Sequence, residues 1–545
     1  MFISIPTDKS RFDAELVAFI PDLTHPVRSR NVEVLLQSNA PPSKTEEEGL
    51  LSIVQRGDAV VADLDRRIKA MKDALDFLVK ERDQATSNIT DAQSLLHSSR
   101  KLNEDLLRRI FKYCVDSQPT ETNSLDSRSC PWTLSQVCRE WRRVAMQTPE
   151  VWSRISLSFS AVTDVANDVM RSFMLGLCLG RALDHPLSLR ISSARDISKD
   201  QLFWMLVPTA SRWREVDFDM PYESFQALSP YKGFMGGLNR LSVCIRGPVL
   251  EGSAAIDAFS MASQLRELHA TGVDQPFRAF ALDGERVLKF EALDGTSDDH
   301  LLSLRSMPLI ESLEIQCDKS KTNDTVVLRN LRNLGITERF SIDHGRGSAA
   351  QFMGCAEVPA LETLRMSLVP TAGPVFPAAA AYPITTLDTS CRLSRAQDCQ
   401  DFAHFLRTLP QLENLITGAD DIPSAFFKNL VYSQRGGKGT NVLPKLQTID
   451  LHRSTLADGD ETMSGLLSLI WSRRTGSAGR TTGTPRRAKR MSTLGVPCAL
   501  LREIWLEGPL DIEHNQMLLN QWKELCEKGL SVVYKSAETV DSQSY

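Results

Sequence analysis

Between residues 187 and 506 the chain keeps returning to one phrase, Leu-x-x-Leu-x-apolar or a near variant, followed by polar residues or glycine. Clear instances are Trp213/Val216/Phe218, Leu238/Leu241/Val243, Leu265/Leu268, Leu288/Phe290 and Ile310/Leu313/Ile315. More follow at Leu331/Leu334/Ile336, Leu361/Leu364/Met366, Ile384/Leu387, Leu412/Leu415, Leu446/Ile449/Leu451 and Leu501/Ile504/Leu506. Leu187/Leu189/Ile191 reads as a degenerate early member. The phrase recurs at intervals of about 21 to 34 residues and widens near the end, a period that belongs to stacked repeats. One such unit cannot bury its own leucines, but neighbours stacked on it can. Residues 156–535 are therefore expected to form a leucine-rich-repeat-like solenoid of short strands, each followed by a turn and a returning helix or loop. The asparagine ladder of regular repeats is missing, so the solenoid should be irregular. The competing reading is a generic α/β domain with short Leu-rich strands.

A second period governs residues 46–99. Val61, Leu64, Ile68, Met71, Leu75 and Leu78 alternate steps of three and four, and Arg82, Ala85, Ile89, Ala92, Leu96 and Ser99 continue the series. That is a heptad seam on one long helix, with Asp65, Arg67, Lys72 and Glu81 along its flanks. Such a helix either packs on its own chain or forms a coiled coil, with another protein or with a second copy. Before it, a leader over residues 1–45 ends in the turn-forming phrase Ser38-Asn39-Ala40-Pro41-Pro42.

Between seam and repeats, residues 100–155 read as a compact helical unit. Asn103 can cap a helix whose first turn carries Glu104 and Asp105, where the helix dipole favours anions. Leu106, Leu107, Ile110, Phe111 and Cys114 then recur on one face. A Ser/Asn/Asp-rich loop leads to Leu134-Ser135-Gln136-Val137-Cys138-Arg139-Glu140-Trp141-Arg142, and Pro149-Glu150-Val151-Trp152 closes the unit.

This stretch resembles the F-box, and the layout of leader, heptad helix, box and Leu-rich repeats resembles the large F-box protein family of mushroom-forming fungi. The specific likeness is carried by about 50 residues: Leu102-Asn103-Glu104-Asp105-Leu106-Leu107 with Ile110-Phe111, the Val-Cys-x-x-Trp-Arg phrase, and the Pro-x-x-Trp that follows it. Where the family has Leu-Pro-Pro-Glu, this chain has Leu102-Asn103-Glu104-Asp105. The resemblance implies an α plus α/β protein with a coiled-coil helix, a three-helix F-box and a repeat solenoid. It further implies a substrate receptor of a cullin–RING ubiquitin ligase, docking on a Skp-type adaptor and presenting a protein target held by the repeats. The adaptor-binding residues it implies are Leu102, Leu106, Leu107, Ile110, Phe111, Leu134, Val137, Cys138, Trp141 and Arg142. The alternative is a scaffold of coil and repeats whose box no longer binds the adaptor.

Little in the sequence points to catalysis. Gly436-Gly437-Lys438-Gly439-Thr440 lacks the spacing of a phosphate loop and reads as a flexible loop. No GxSxG, Rossmann or kinase motif is present, and the eleven cysteines and nine histidines show no metal-ligand spacing. No enzyme activity, cofactor or metal is expected. A net charge of −5 argues against a general polyanion binder. The stretch 471–490 carries seven basic residues (Arg473, Arg474, Arg480, Arg486, Arg487, Lys489, Arg490) and no acid, and reads as a disordered, solvated loop rather than a nucleic-acid site. Pro370–Pro383 reads as a loop, and 536–545 as a disordered tail. The N-terminus lacks a basic segment followed by a sustained apolar run, and no apolar run reaches the length of a membrane span. A cytoplasmic or nuclear protein is expected.

Overall fold

A computed structural model describes residues 30–535. Internally it leaves aside 39, 120–121, 160–164, 248–252, 274, 319–323, 340–345, 370–372, 378–381, 433–441, 458, 475–498, 511 and 513. Most of the leader, the Gly436–Thr440 loop, the basic stretch beyond Arg474 and the tail therefore lie outside the described residues. The chain divides into two units, 1–103 and 104–545.

The first unit contains a short helix α1 (Arg30–Gln37) and a 53-residue helix α2 (Lys44–Leu96). At 1.5 Å per residue α2 is about 80 Å long. Pro41-Pro42 precedes it, and Glu46 accepts the Ser43 backbone N–H at 2.9 Å, satisfying a donor at the helix start. The helix begins earlier than the seam alone indicates, taking in Gly49 and Gly57, and it ends at Leu96. Ser99, the last expected slot of the seam, falls instead in a 3₁₀ turn over Ser98–Lys101. No residue of α2 is buried.

The second unit opens with helices α3 (Glu104–Asp116), α4 (Cys130–Gln136) and α5 (Arg139–Met146). Pro131 in the first turn starts α4, where a missing N–H costs nothing. Cys138, extended at φ −159°, separates α4 from α5 and accepts the Trp141 N–H at its sulfur.

Among the described residues a fourteen-stranded sheet follows. Its strands are β1 (Arg154–Phe159), β2 (Leu187–Ser193), β3 (Trp213–Pro221), β4 (Arg240–Arg246), β5 (Glu267–Thr271), β6 (Lys289–Ala292) and β7 (Ser312–Cys317). They continue as β8 (Asn333–Glu338), β9 (Thr363–Ser367), β10 (Thr386–Ser390), β11 (Asn414–Gly418), β12 (Thr448–Leu451), β13 (Glu503–Leu506) and β14 (Ser531–Tyr534). Each strand pairs in parallel with the next along the chain. Val326–Val327 and Ala356–Glu357 form a separate small pair.

The register explains the repeating phrase. Ile155, Leu189, Val216, Leu241, Leu268, Phe290 and Leu313 stand side by side in one row. Leu334, Leu364, Leu387, Leu415, Ile449, Ile504 and Val532 continue it to the far edge. All but Val532 are buried. Side chains alternate across a strand, so the central residue of each phrase faces the core and its neighbours face out. β2 has the full alternation, with Leu187, Leu189 and Ile191 inside and Ser188, Arg190 and Ser192 half-exposed. Returning segments such as helix Ala396–Arg407, with Phe402 and Leu406 buried, cover the inner face.

The region is thus a leucine-rich-repeat-like stack, and it has a strand more at each end than the phrase marks. β1 begins at Arg154, so the boundary expected at 155/156 falls within the first strand. The segment 471–474 is not a loop: it is the last turn of helix Asp460–Arg474. Arg473 there is buried and donates to the carbonyls of Leu443 at 2.7 Å, Val442 at 2.7 Å and Leu430 at 2.8 Å. Arg474 donates to the Leu501 carbonyl at 2.6 Å. Two of the seven basic residues therefore hold the repeats together. In the Pro370–Pro383 segment, Phe376 stacks on Phe405 with ring centroids 5.3 Å apart.

Candidate functional site

Two surfaces of the second unit carry groups that folding alone does not consume. The first lies on α3. Its core stripe is Leu107, Phe111 and Val115, all buried. The adjacent stripe, at steps of four and three, is Leu106, Ile110 and Tyr113, exposed by 45%, 37% and 74%. A helix of this length with two apolar stripes covers one and leaves the other to water.

The residues expected at an adaptor interface divide accordingly. Leu107, Phe111 and Leu134 close the three-helix unit on itself. Leu106, Ile110, Val137, Cys138 and Arg142 are exposed, and Val137 presents 59% of its surface at the α4–α5 junction. Trp141 is half-buried, its ring 5.1 Å from that of Phe111, which seats α5 against α3. Arg142 donates to the Ser135 carbonyl at 2.9 Å and so ties α5 back to α4. Leu102 is half-buried and belongs to the first unit.

The charges around this surface are answered locally. Glu104 meets Arg143 at 2.9 Å and Arg108 at 2.5 Å, and these hydrogen bonds, Arg143 first, hold its carboxyl below the usual carboxylate range. The closing phrase is structural. Trp152 is buried, donates to the Ala145 carbonyl at 2.8 Å and meets Trp132 edge-on at 4.9 Å. The Arg181 guanidinium lies over both rings, 4.4 Å from Trp152 and 5.0 Å from Trp132. This cation–π contact fastens helix Val165–Arg181 to the helical unit.

The second surface is the outward face of the sheet. Its middle row runs Arg190, Asp217, Ser242, His269, Glu291, Glu314, Gly335, Arg365 and Asp388 across successive strands. Side chains on neighbouring strands pair: Arg190 with Asp217 as an ion pair at 2.6 Å, and the His269 imidazole with the Glu291 carboxyl at 2.8 Å. The His269 hydrogen bond holds the Glu291 carboxyl below its usual range. Arg365 spans two strands. It reaches Glu314 at 3.3 Å across Gly335 and Asp388 at 3.4 Å on its other side, and Arg453 pairs with the same Asp388. A side chain at 335 would crowd that bridge, since a Cβ there would lie 3.2 Å from Glu314 Cγ. Beyond the carboxyl ends of β10 and β11 lies a shallow depression of about 450 Å³, lined by Ser390, Arg392, Asp420, Asp421 and Arg453 among others.

No family model matches the chain, and no curated protein matches it. Solved structures similar to it include an internalin from Listeria monocytogenes, 11% identical, covering 62% of this chain and 91% of that one with a TM-score of 0.30. Another is TLR13 in a TLR13–ssRNA13 complex, 16% identical, covering 51% of this chain and 45% of that one with a TM-score of 0.27.

Among the described residues no cluster of His, Cys, Asp and Glu could hold a metal ion. No described helix is long and apolar enough to cross a membrane. Sequence reasoning passed over the outward charged row entirely. Its members sit 21 to 30 residues apart between neighbouring strands, and only the strand register brings them together. The available signal was the polar residue that follows the second leucine in most of the phrases.

Proposed function

We propose that the chain is a non-catalytic substrate receptor of a cullin–RING ubiquitin ligase. Helices α3–α5 dock on a Skp-type adaptor, and the outward face of the repeats holds a protein target. The observation that carries this reading is the second apolar stripe of α3, Leu106 and Ile110, with Val137 exposed at the α4–α5 junction. An apolar core ringed by charge is what a protein interface needs, and Arg108, Glu104 and Arg143 supply charge around it. Repeat sheets present a broad, rigid face, and paired charges at fixed register favour selection among partners over raw affinity. The chemistry asked of such a receptor is proximity: holding target and conjugating enzyme together raises the effective concentration of the reacting groups.

The test is co-purification of the full chain with a Skp-type adaptor and a cullin, beside a variant carrying Leu106→Asp, Ile110→Asp and Val137→Asp. Adaptor retained by the parent and lost by the folded variant supports the reading. A folded parent that retains neither partner refutes it and favours a scaffold of helix and repeats. The departure at Asn103-Glu104 favours that second reading, because Glu104 is already engaged by Arg108 and Arg143.

A further inference from the structure

We propose that α2 pairs with α2 of a second copy of this chain as an antiparallel coiled coil, in a register that sets Ile68 opposite the partner copy's Met71. The inference stands on α2 alone and is independent of the ligase reading. The seam leaves Val61, Leu64, Ile68, Met71, Leu75 and Leu78 each more than a third exposed, a continuous apolar edge that water does not favour.

The identity and direction of the partner follow from the residues that break the seam. Extended toward the N-terminus, the heptad puts Gly57 in a core slot, and toward the C-terminus it puts Arg82 in another. In a parallel pair each core slot faces its own copy. Arg82 would then face Arg82, burying like charges, and Gly57 would face Gly57, leaving a hole. In the antiparallel register proposed, Arg82 lies opposite Gly57, around whose Cβ position the space is open. The arginine stem fills the gap, and its guanidinium, already 2.6 Å from Asp83, stays at the edge. The same register sets Leu64 opposite Leu75 and Val61 opposite Leu78.

The flanking charges agree. A parallel pair sets Arg67 against Lys72 of the other chain, a repulsion on both sides. The antiparallel register instead sets Asp65 against Lys72 on both sides, while Arg67 keeps its bond to Asp63 at 2.7 Å within its own helix. Charges beside the core decide orientation and partner in coiled coils. The register also superposes nearly the whole of Lys44–Leu96 on its copy, because its midpoint falls between residues 69 and 70.

Sedimentation velocity of the full chain, over a concentration series, tests this with three variants. The parent is expected to be a dimer. Lys72→Glu reverses the two cross-helix attractions and should weaken dimerisation about tenfold. Asp65→Lys added to Lys72→Glu should restore it, and Asp65→Lys alone should weaken it as Lys72→Glu does. A monomeric parent overturns the proposal. A dimer tightened by Lys72→Glu overturns the antiparallel direction, since that change would turn the parallel Arg67–Lys72 repulsion into attraction. A dimer unmoved by any of the three places the contact elsewhere and also overturns it.

Discussion

Leu106 and Leu107 are neighbours in sequence, identical in chemistry, and opposite in consequence. Leu107 is 1% exposed and Leu106 45% exposed on the same turn of α3. Truncating Leu107 to alanine removes buried methyl groups from a core it shares with Phe111 and leaves a cavity, a loss of about 2–5 kcal/mol. Truncating Leu106 removes side-chain surface that water already touches, and stability should move by no more than about 0.5 kcal/mol. Binding should show the reverse order. If the exposed stripe is the adaptor surface, Leu106→Ala costs about 1–2 kcal/mol of affinity, a fivefold to thirtyfold rise in Kd. Urea unfolding followed by tryptophan fluorescence reads the first quantity, because Trp132, Trp141 and Trp152 all lie in this unit. Titration with purified adaptor reads the second. Two results would refute the reasoning. If Leu106→Ala destabilises as much as Leu107→Ala, the two stripes are misassigned. If Leu106→Ala leaves stability and affinity both untouched, the exposed stripe is not the docking surface.

Three further outcomes follow from the second unit. Arg473→Ala strips the carbonyls of Leu430, Val442 and Leu443 of a shared buried donor and should cost about 3 kcal/mol or more, seen as a lower urea midpoint, whereas alanine at the half-exposed Arg190 should cost under about 1 kcal/mol. Gly335→Val should push Glu314 aside and break its bridge to Arg365, with a stability change below about 1 kcal/mol because the pair is exposed; an Arg365 side chain still seated on Glu314 in a crystal structure of the variant would refute this. Glu291 titrates below its unfolded value, so its contribution is present above the ordinary carboxylate range and is lost as pH falls through the folded pKa. Glu291→Gln should therefore flatten that acid-side part of the urea-midpoint profile, and an unchanged profile would refute the His269–Glu291 pairing.

The repeats were legible because their signal is carried by backbone periodicity. Each phrase places its second leucine or its equivalent in one buried row, and a row of this kind can be read without knowing any contact. The two end strands escaped for the reason that ends differ from middles. Ile155, Leu157 and Phe159 alternate correctly but lack the leading leucine, and Val532, in the last strand among the described residues, sits half-exposed. Arg473 escaped because a basic cluster looks solvated in sequence, and only the three carbonyls gathered around it explain its burial. The α3 surface was legible as apolar but not as two stripes. Leu106/Leu107 and Ile110/Phe111 are adjacent apolar pairs, each about 100° apart around the helix, so either stripe could face the core. What decides is the partner helix: Trp141 on α5 sits against Phe111, and that contact turns Leu107 and Phe111 inward and leaves Leu106 and Ile110 facing water. The candidate interface is thus a by-product of how the core was chosen. Its function can be tested without disturbing that core, because the two sets of side chains are already separated on the helix.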